Sequence, residues 1–494
     1  MKQVIVNSQY SQTRIAVLEE GKLVEFYIEQ PSSLKLVGNI YKGKVADIRP
    51  GIQAAFVDIG IEKNAYLYID DCLTTSQKEK TESKPNIREL VTQGQDLLVQ
   101  VTKEPTDLKG ARLTTHLSFP GRFLVYMPND RNIGISRRIE LEEERERLRE
   151  ICQQLCVEEE GVIVRTQAQG VCEEEIQADF LYLRQEWEKV KQIAKQAKSK
   201  SLIHQELGLI PKVARDLLNS EVSEWVIDSI PEYRNILSEL DRSHPLQDKI
   251  KLYQEQTSIF DAYQIEGEIE KALRRKVWLK SGGYLVIDQT EALTAIDVNT
   301  GKFTGNYNHE DTVFKTNLEA AGEIARQLRL RDIGGIIIID FIDMIKEASR
   351  DAVYRHLADQ LKKDRTKSHL LGFTTLGLLE MTRKKIKQNL SDRLTRECPC
   401  CEGKGRTLSE ETIFARMERE IKEYARNKDV EAFLIELSHS VADASKFKYE
   451  HFIQLMEEDW KIKVYIIGND KVNLESYRIA FVGSLEEVKR RVNS

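Results

Sequence analysis

The 494-residue chain is 41% hydrophobic and 31% charged, the balance of a water-soluble globular protein long enough to hold several cores. A net charge of −6 offers no overall attraction to a polyanion, so any nucleic-acid contact must rest on local basic patches or a metal. No apolar run is long enough to cross a bilayer and no charged-then-apolar leader follows Met1, so a cytoplasmic protein without a membrane partner is expected. Seven irregularly spaced cysteines argue against a disulfide framework.

Residues 4–6, 15–18 and 23–27 read as three short strands, with Glu20-Gly21 as a turn. Such a meander is too small to stand alone and must join a sheet completed elsewhere. Five β segments follow between 39 and 117, at 40–48, 54–57, 65–69, 96–101 and 111–114, punctuated by glycines. They suit an OB-type barrel, a fold that often binds single strands. Phe56 and Tyr66 offer stacking faces, and Lys42, Lys44, Lys103, Lys109 and Arg112 offer charge to phosphates, although an aromatic in a small barrel serves the core as readily. The polar stretch 76–85 reads as a loop of this barrel.

From 119 to 211 strand and helix mix. A strand at 123–127 precedes a turn with paired Arg137 and Arg138 and a charged helix at 140–154. The next strand, 161–166, ends in Arg165 and Thr166, a guanidinium fork beside a hydroxyl that could clamp an anion; standing alone, the pair reads first as an ordinary strand-end surface. Residues 178–200 form a long Lys/Glu-rich helix, read as a solvated face, and 202–207 and 224–227 return to strand character.

The stretch 282–343 carries the most chemistry. Two apolar strands each deliver an aspartate at the carboxyl end, Asp297 and Asp340, and residues 311–331 between them space Val313, Asn317, Ala320, Ala321, Ile324, Ala325 and Leu328 as one helix face. Strand, crossover helix, strand makes the two strands neighbours and the aspartates adjacent. Adjacent carboxylates repel unless protonated or bridged by a cation, and an oxygen cage suits magnesium. Asn299 shares the face of Asp297. Aspartates at strand ends also form turns, and Asp288, Glu291 and Asp343 are equally available as ligands. Residues 353–387 are rich in Lys and Arg, a footprint for a polyanion or simply a solvated helix face. Cys398 and Cys401 form a Cys-x-x-Cys knuckle with two thiolates at zinc spacing and no second pair nearby, so a zinc shared by two chains completes the count. A redox Cys-x-x-Cys is the rival reading. Beyond it come an amphipathic helix at 412–426, a strand at 432–437, a helix at 441–456, and strands at 463–467 and 477–481.

Together these stretches resemble the ribonuclease E/G family over essentially the whole chain. Gly-Ile-Ser-Arg-Arg at 134–138, Glu-Ala-Leu-Thr-Ala-Ile-Asp-Val-Asn at 291–299, Ile-Asp-Phe-Ile-Asp-Met at 339–344, the cysteine knuckle at 398–405, and 39–44, 54–58, 316–321 and 325–332 carry the likeness. The resemblance implies an α+β multidomain protein. An RNase H-like fold (1–38 and 212–272) would be interrupted by an OB-fold RNA-binding barrel (39–117) and a 5′-monophosphate sensor region (118–211). A DNase I-like catalytic subdomain (273–395), a zinc-link (396–407) and a small C-terminal α/β domain (408–494) would follow.

The implied activity is magnesium-dependent endoribonuclease cleavage of single-stranded A/U-rich RNA, leaving 5′-phosphate and 3′-hydroxyl, stimulated by a 5′-monophosphate, in rRNA processing and mRNA decay. The family's roles fall on Asp297, Asn299 and Asp340 for catalysis, with Mg2+ on Asp297 and Asp340. A structural Zn2+ falls on Cys398 and Cys401, shared between protomers of a homodimer or of a tetramer built from such pairs. Gly121, Val125, Arg165, Thr166 and Lys367 fall on the 5′-phosphate pocket, and Phe56, Tyr66, Lys103 and Lys109 on the RNA-binding barrel. Lys367 stands where the best-known family member has an arginine, keeping charge but not the bidentate fork; Tyr66 replaces a phenylalanine and keeps the stacking face. Ending at Ser494, the chain is nearer the short ribonuclease G type, with no long scaffold tail expected. A non-catalytic RNA-binding regulator is the alternative, and intact Asp297, Asn299 and Asp340 argue against it.

Overall fold

In the computed structural model all residues are described except 10, 30–35, 73–84, 106–108, 158, 218–220, 240–246, 302–308, 428–429, 445–448 and 493–494. Nearly all of the expected 76–85 barrel loop therefore lies outside the described residues. Two compact units divide the chain, Met1–Leu390 and Ser391–Ser494. No helix among the described residues is long and apolar enough to cross a membrane.

The first unit begins with the antiparallel meander β1 (Lys2–Gln9), β2 (Gln12–Glu19) and β3 (Lys22–Glu29). Glu20 and Gly21 both have positive φ, 50° and 73°, the twist that a two-residue hairpin turn requires. Next come β4 (Ile40–Arg49), β5 (Ala54–Asp58), β6 (Ala65–Tyr68), β7 (Asp96–Lys103) and β8 (Arg112–Thr114). They run in the order β4-β5-β6-β8-β7, and β7 pairs back onto β4, closing a five-stranded OB-like barrel. Gly43 on β4 makes the closure possible, since a Cβ there would lie 2.5 Å from Val57.

A four-stranded sheet follows, ordered β11-β12-β10-β9 from β9 (Phe119–Pro120), β10 (Leu124–Met127), β11 (Ile133–Ile135) and β12 (Gly161–Val164). Helices α1 (Glu142–Leu155) and α2 (Glu173–Gln196) share its core. Although charged, α2 is more than a solvated face: Ile176, Phe180, Leu183, Trp187 and Val190 form a buried stripe. The strand expected through Thr166 stops at Val164, where Thr166–Ala168 turns as a 3₁₀ helix.

β13 (Ser201–His204) adds to the barrel edge at β4, and α3 (Leu209–Leu217) packs on the meander. β14 (Val222–Ile227) and β15 (Ile250–Leu252) then complete a five-stranded sheet, β15-β14-β1-β2-β3, in which β14 runs parallel to β1.

The last sheet of this unit is ordered β16-β17-β18-β19-β21-β20. Its strands are β16 (Lys276–Trp278), β17 (Tyr284–Gln289), β18 (Leu293–Asn299), β19 (Gly335–Asp340), β20 (Ser368–Phe373) and β21 (Leu379–Arg383), with α4 (His309–Leu330) between β18 and β19 and α5 (Glu347–Leu361) after β19. Ile296, Val298, Ile337 and Ile339 pack with Ala321, Ile324 and Leu328 of α4 and Val353 and Leu357 of α5 in one core. The alternate residues stand on the other, open face. The basic stretch 353–387 is thus split among a helix and two strands, and Arg383 is buried on Asp364 and Asp332, at 2.7 and 2.8 Å.

The second unit holds the knuckle, α6 (Glu410–Asn427), β22 (Ala432–Leu437), α7 (Glu450–Trp460), β23 (Lys463–Gly468), β24 (Arg478–Gly483) and α8 (Leu485–Val492). The sheet is ordered β23-β22-β24. Instead of one helix over 441–456 there are two, His439–Ala444 and α7.

Candidate functional site

β18 and β19 pair in parallel with Asp297 directly opposite Asp340, so both carboxylates leave the open face at the same level. The local sequence explains the register: buried Ile296 and Val298 on one strand and Ile337 and Ile339 on the other fix which face is core, and a slip of one residue would bury the acids. Asn299 donates from Nδ2 to Asp297 Oδ2 at 2.7 Å and so fixes that carboxylate. Beyond β19, the buried Asn317 of α4 pins the turn twice, donating to the Ile342 carbonyl at 2.8 Å and accepting from its N–H at 3.1 Å. Burial, then the charge of Asp297, then that of Asp343 push the Asp340 carboxyl above its ordinary pKa. The cluster therefore stores negative charge that a cation would relieve. Among the described residues no group of three His, Cys, Asp or Glu side chains converges as a metal cage. Asp288, one alternative ligand, is instead engaged with Arg275.

The residues expected to clamp an anion gather around β10 and β12. Arg165 donates from Nη1 to the Gly121 carbonyl and from Nη2 to Asp216 Oδ1, both at 2.6 Å. Thr166 Oγ1 lies 2.8 Å from Ser136 Oγ, and Val125 sits opposite Ile163 in the β10–β12 ladder. Gly121 is held close by Asp179, whose carboxylate accepts from the N–H groups of Arg122, Phe123 and Leu124; a Cβ on Gly121 would fall 2.6 Å from it. The segment carrying Lys367 is tied to this region: Arg138 donates to the carbonyls of Asp364 and Arg365 at 3.0 and 2.7 Å, and Arg365 donates to the Asp216 carbonyl at 3.1 Å. Lys367 itself is exposed. Asp216, Asp179 and Ser136 were not evident in the sequence, since each acts across strands or helices distant along the chain.

On the barrel, Phe56 pairs with Tyr66, Tyr66 with Arg112 and Arg112 with Lys103 across β5, β6, β8 and β7. The Phe56 and Tyr66 rings meet edge to face at 6.0 Å, both only half-buried, and Tyr68 stacks near Tyr66 at 6.4 Å. Phe56 and Tyr66 thus lie outside the buried barrel core, while Lys103 and Lys109 are exposed. Lys42 is differently employed: it donates to the carbonyls of Ala194 and Ala197 and closes the end of α2.

In the second unit Cys398 is exposed and Cys401 half-buried. The backbone N–H groups of Cys401 and Cys400 hold the Cys398 thiol below its ordinary pKa, an arrangement suited to a metal-binding thiolate. The Glu402 N–H bonds to the Cys398 carbonyl and that of Lys404 to the Cys401 carbonyl, both at 2.8 Å, with Glu402 and Gly403 at φ of 48° and 80° turning the chain.

Comparison with known proteins covers the same stretches of the chain. The family model described as Ribonuclease E/G family matches residues 118–386, more than half of the chain and inclusive of both aspartates and the Arg165 region. Ribonuclease G of Salmonella typhimurium is 44% identical over 479 residues, covering 96% of this chain and 97% of the relative. Ribonuclease G of Escherichia coli K12 is 43% identical over the same span. Ribonuclease E of Haemophilus influenzae is 36% identical over 494 residues, 99% of this chain but 53% of that longer protein. Matched by the family model over residues 118–386 and by a relative over 96% of its length, the chain belongs to the ribonuclease E/G family.

Proposed function

We propose that this endoribonuclease hydrolyses internal phosphodiesters of single-stranded, A/U-rich RNA in the cytoplasm, leaving 5′-phosphate and 3′-hydroxyl ends, with rRNA precursors and mRNA as substrates. The observation that carries the reading is the in-register pair Asp297 and Asp340 on an open sheet face, with Asn299 fixed on Asp297. Two hard carboxylates fit magnesium, which is commonly held by one or two carboxylates with water and substrate oxygens completing the shell. Bound there, the ion would lower the pKa of a water and offset charge developing on the phosphate. The chain's own contribution is positional. The β18–β19 register holds the carboxylates together, Asn299 fixes the rotamer of Asp297, and Asn317 fixes the turn after Asp340.

Arg165 and Thr166, with Gly121, Val125 and Lys367, would receive a substrate 5′-monophosphate and favour cleavage of RNA bearing one. Phe56, Tyr66, Lys103 and Lys109 would hold the strand on the barrel by stacking and charge. Cys398 and Cys401 would hold a structural zinc together with the same pair from a second copy, since two thiolates from each chain meet the four-ligand requirement.

The test is cleavage of one A/U-rich RNA carrying either a 5′-monophosphate or a 5′-hydroxyl, with magnesium and with chelator. Magnesium-dependent internal cleavage, faster on the monophosphate, is expected. Equal rates on the two ends would remove the sensor role, and undiminished cleavage in chelator would remove the metal.

A further inference from the structure

We propose that Trp278, with Tyr284 and Lys276, forms a stacking platform for a nucleobase of the substrate next to the scissile phosphate. The proposal rests on Asp297 and Asp340 being the site of cleavage.

Its basis is the register of the catalytic sheet. Directly paired residues project from the same face. Trp278 pairs with Tyr284, and Tyr284 with Asn299. In the adjacent row Lys276 pairs with Val286, Val286 with Asp297, and Asp297 with Asp340. Trp278, Tyr284 and Lys276 therefore share the open face with the acid pair, while Val277 between them packs into the core. At about 4.8 Å per strand, Tyr284 stands one strand from Asn299 and Trp278 two, about 10 Å away. An RNA strand with a phosphate at the acid pair would bring a neighbouring base over these rings.

The side chains suit that occupant. Trp278 is 63% exposed, whereas Trp225 and Trp187 are buried and Trp460 is half-buried. A large ring left in water on an open face beside a reaction site is a ready base platform. The Trp278 and Tyr284 rings meet edge to face at 5.4 Å. Lys276 Nζ lies 4.1 Å from the Trp278 centroid and 3.4 Å from that of Tyr284. It fixes both rings and sets a positive charge at one end of a row whose other end is acidic. A polyanion with apolar faces matches that order: a flanking phosphate at Lys276, the scissile phosphate at the metal-binding end, and a base on Trp278. An apolar peptide would leave the Lys276 charge unmet.

The test uses full-length protein inactivated by Asp340→Asn and a single-stranded A/U-rich RNA, reading intrinsic tryptophan fluorescence and Kd together. RNA should quench the exposed tryptophan, and the quench should vanish when Trp278→Phe is added. Trp278→Ala should weaken binding about five- to hundredfold, with Trp278→Phe keeping most of the affinity. In otherwise wild-type enzyme Trp278→Ala should raise KM more than it lowers kcat. An unchanged Kd in Trp278→Ala, or a quench that survives Trp278→Phe, overturns the platform. Continued cleavage by the Asp340→Asn protein, read from the products, overturns the catalytic assignment instead and is seen separately from the binding signals.

Discussion

Burial, then Asp297, then Asp343 raise the pKa of the Asp340 carboxyl, so a cation placed beside the pair would favour its charged form. Asp297→Asn or Asp340→Asn should remove about 3 kcal/mol or more of transition-state stabilisation, a drop in turnover of roughly a hundredfold or greater, with RNA binding changed much less. Turnover within a few-fold of wild type in both variants would refute the assignment. These two aspartates and Asn299 were legible in the sequence because their signal is local: a strand end, a crossover helix and an i, i+2 spacing. Asp216 was not, because its meaning comes from Arg165, which it meets at 2.6 Å across 51 residues of chain. Lys367 belongs to the same scale. A lysine is a point charge where an arginine is a fork, so Lys367→Arg should raise the ratio of cleavage rates on 5′-monophosphate and 5′-hydroxyl RNA by several-fold, and Arg165→Lys should bring it toward unity. Single-turnover rates on the two RNAs decide both.

At the level of elements, α4 shows how much a periodic pattern can and cannot reveal. Its apolar spacing made the crossover helix readable, and Asn317 fell within that pattern as one more core position. Its role as the double hydrogen-bond partner of Ile342 depends on the turn after β19 and could not be read from spacing. Asn317→Leu keeps the volume but leaves a buried N–H and carbonyl unmet, which should cost about 2–3 kcal/mol. Because that turn follows Asp340 directly, kcat should fall along with the melting temperature. A variant that melts lower yet turns over normally would show that Asn317 supports the fold alone. Elements legible by charge were less faithful. The basic stretch 353–387 read as a footprint for a polyanion or as a solvated helix face; β20 and β21 run through it, and Arg383 is spent on Asp364 and Asp332. The Lys/Glu-rich α2 likewise conceals a buried stripe, since charged residues on three sides of a helix outnumber the apolar ones on the fourth.

For the molecule as a whole, local patterns found most strands and showed that the meander must join a sheet completed elsewhere, while its partner β14, more than 200 residues on, lies in the 212–272 stretch that only the family resemblance grouped with it. The knuckle raises the question of assembly. If two chains share a zinc, Cys398→Ser with Cys401→Ser should release the metal and halve the mass in solution; an unchanged mass by light scattering would discard the shared site. Within the first unit, Arg329 of α4 ties the sheet that carries Asp297 and Asp340 to the meander, donating to Glu19 on β2 and Glu25 on β3, each at 2.8 Å. Burial pushes the Glu25 carboxyl up, but Arg329, Arg365 and the Tyr27 hydroxyl outweigh it and leave the pKa below its ordinary value. Glu19 shows the same balance, with burial outweighed by Arg329 and Lys2. A carboxylate depressed in the folded state contributes stability that is present above the unfolded value and lost as pH falls through the folded one. Resistance to urea should therefore hold from neutral pH down to about 4.3 and decline below it. Arg329→Met leaves buried Glu25 without its main cation and should cost about 3–5 kcal/mol at pH 7. Burial would then dominate Glu25 and favour its neutral form, so the gap between variant and wild type should narrow as pH is lowered. Parallel stability curves for the two proteins between pH 7 and 4 would mean that the Arg329 contacts do not link ionisation to folding.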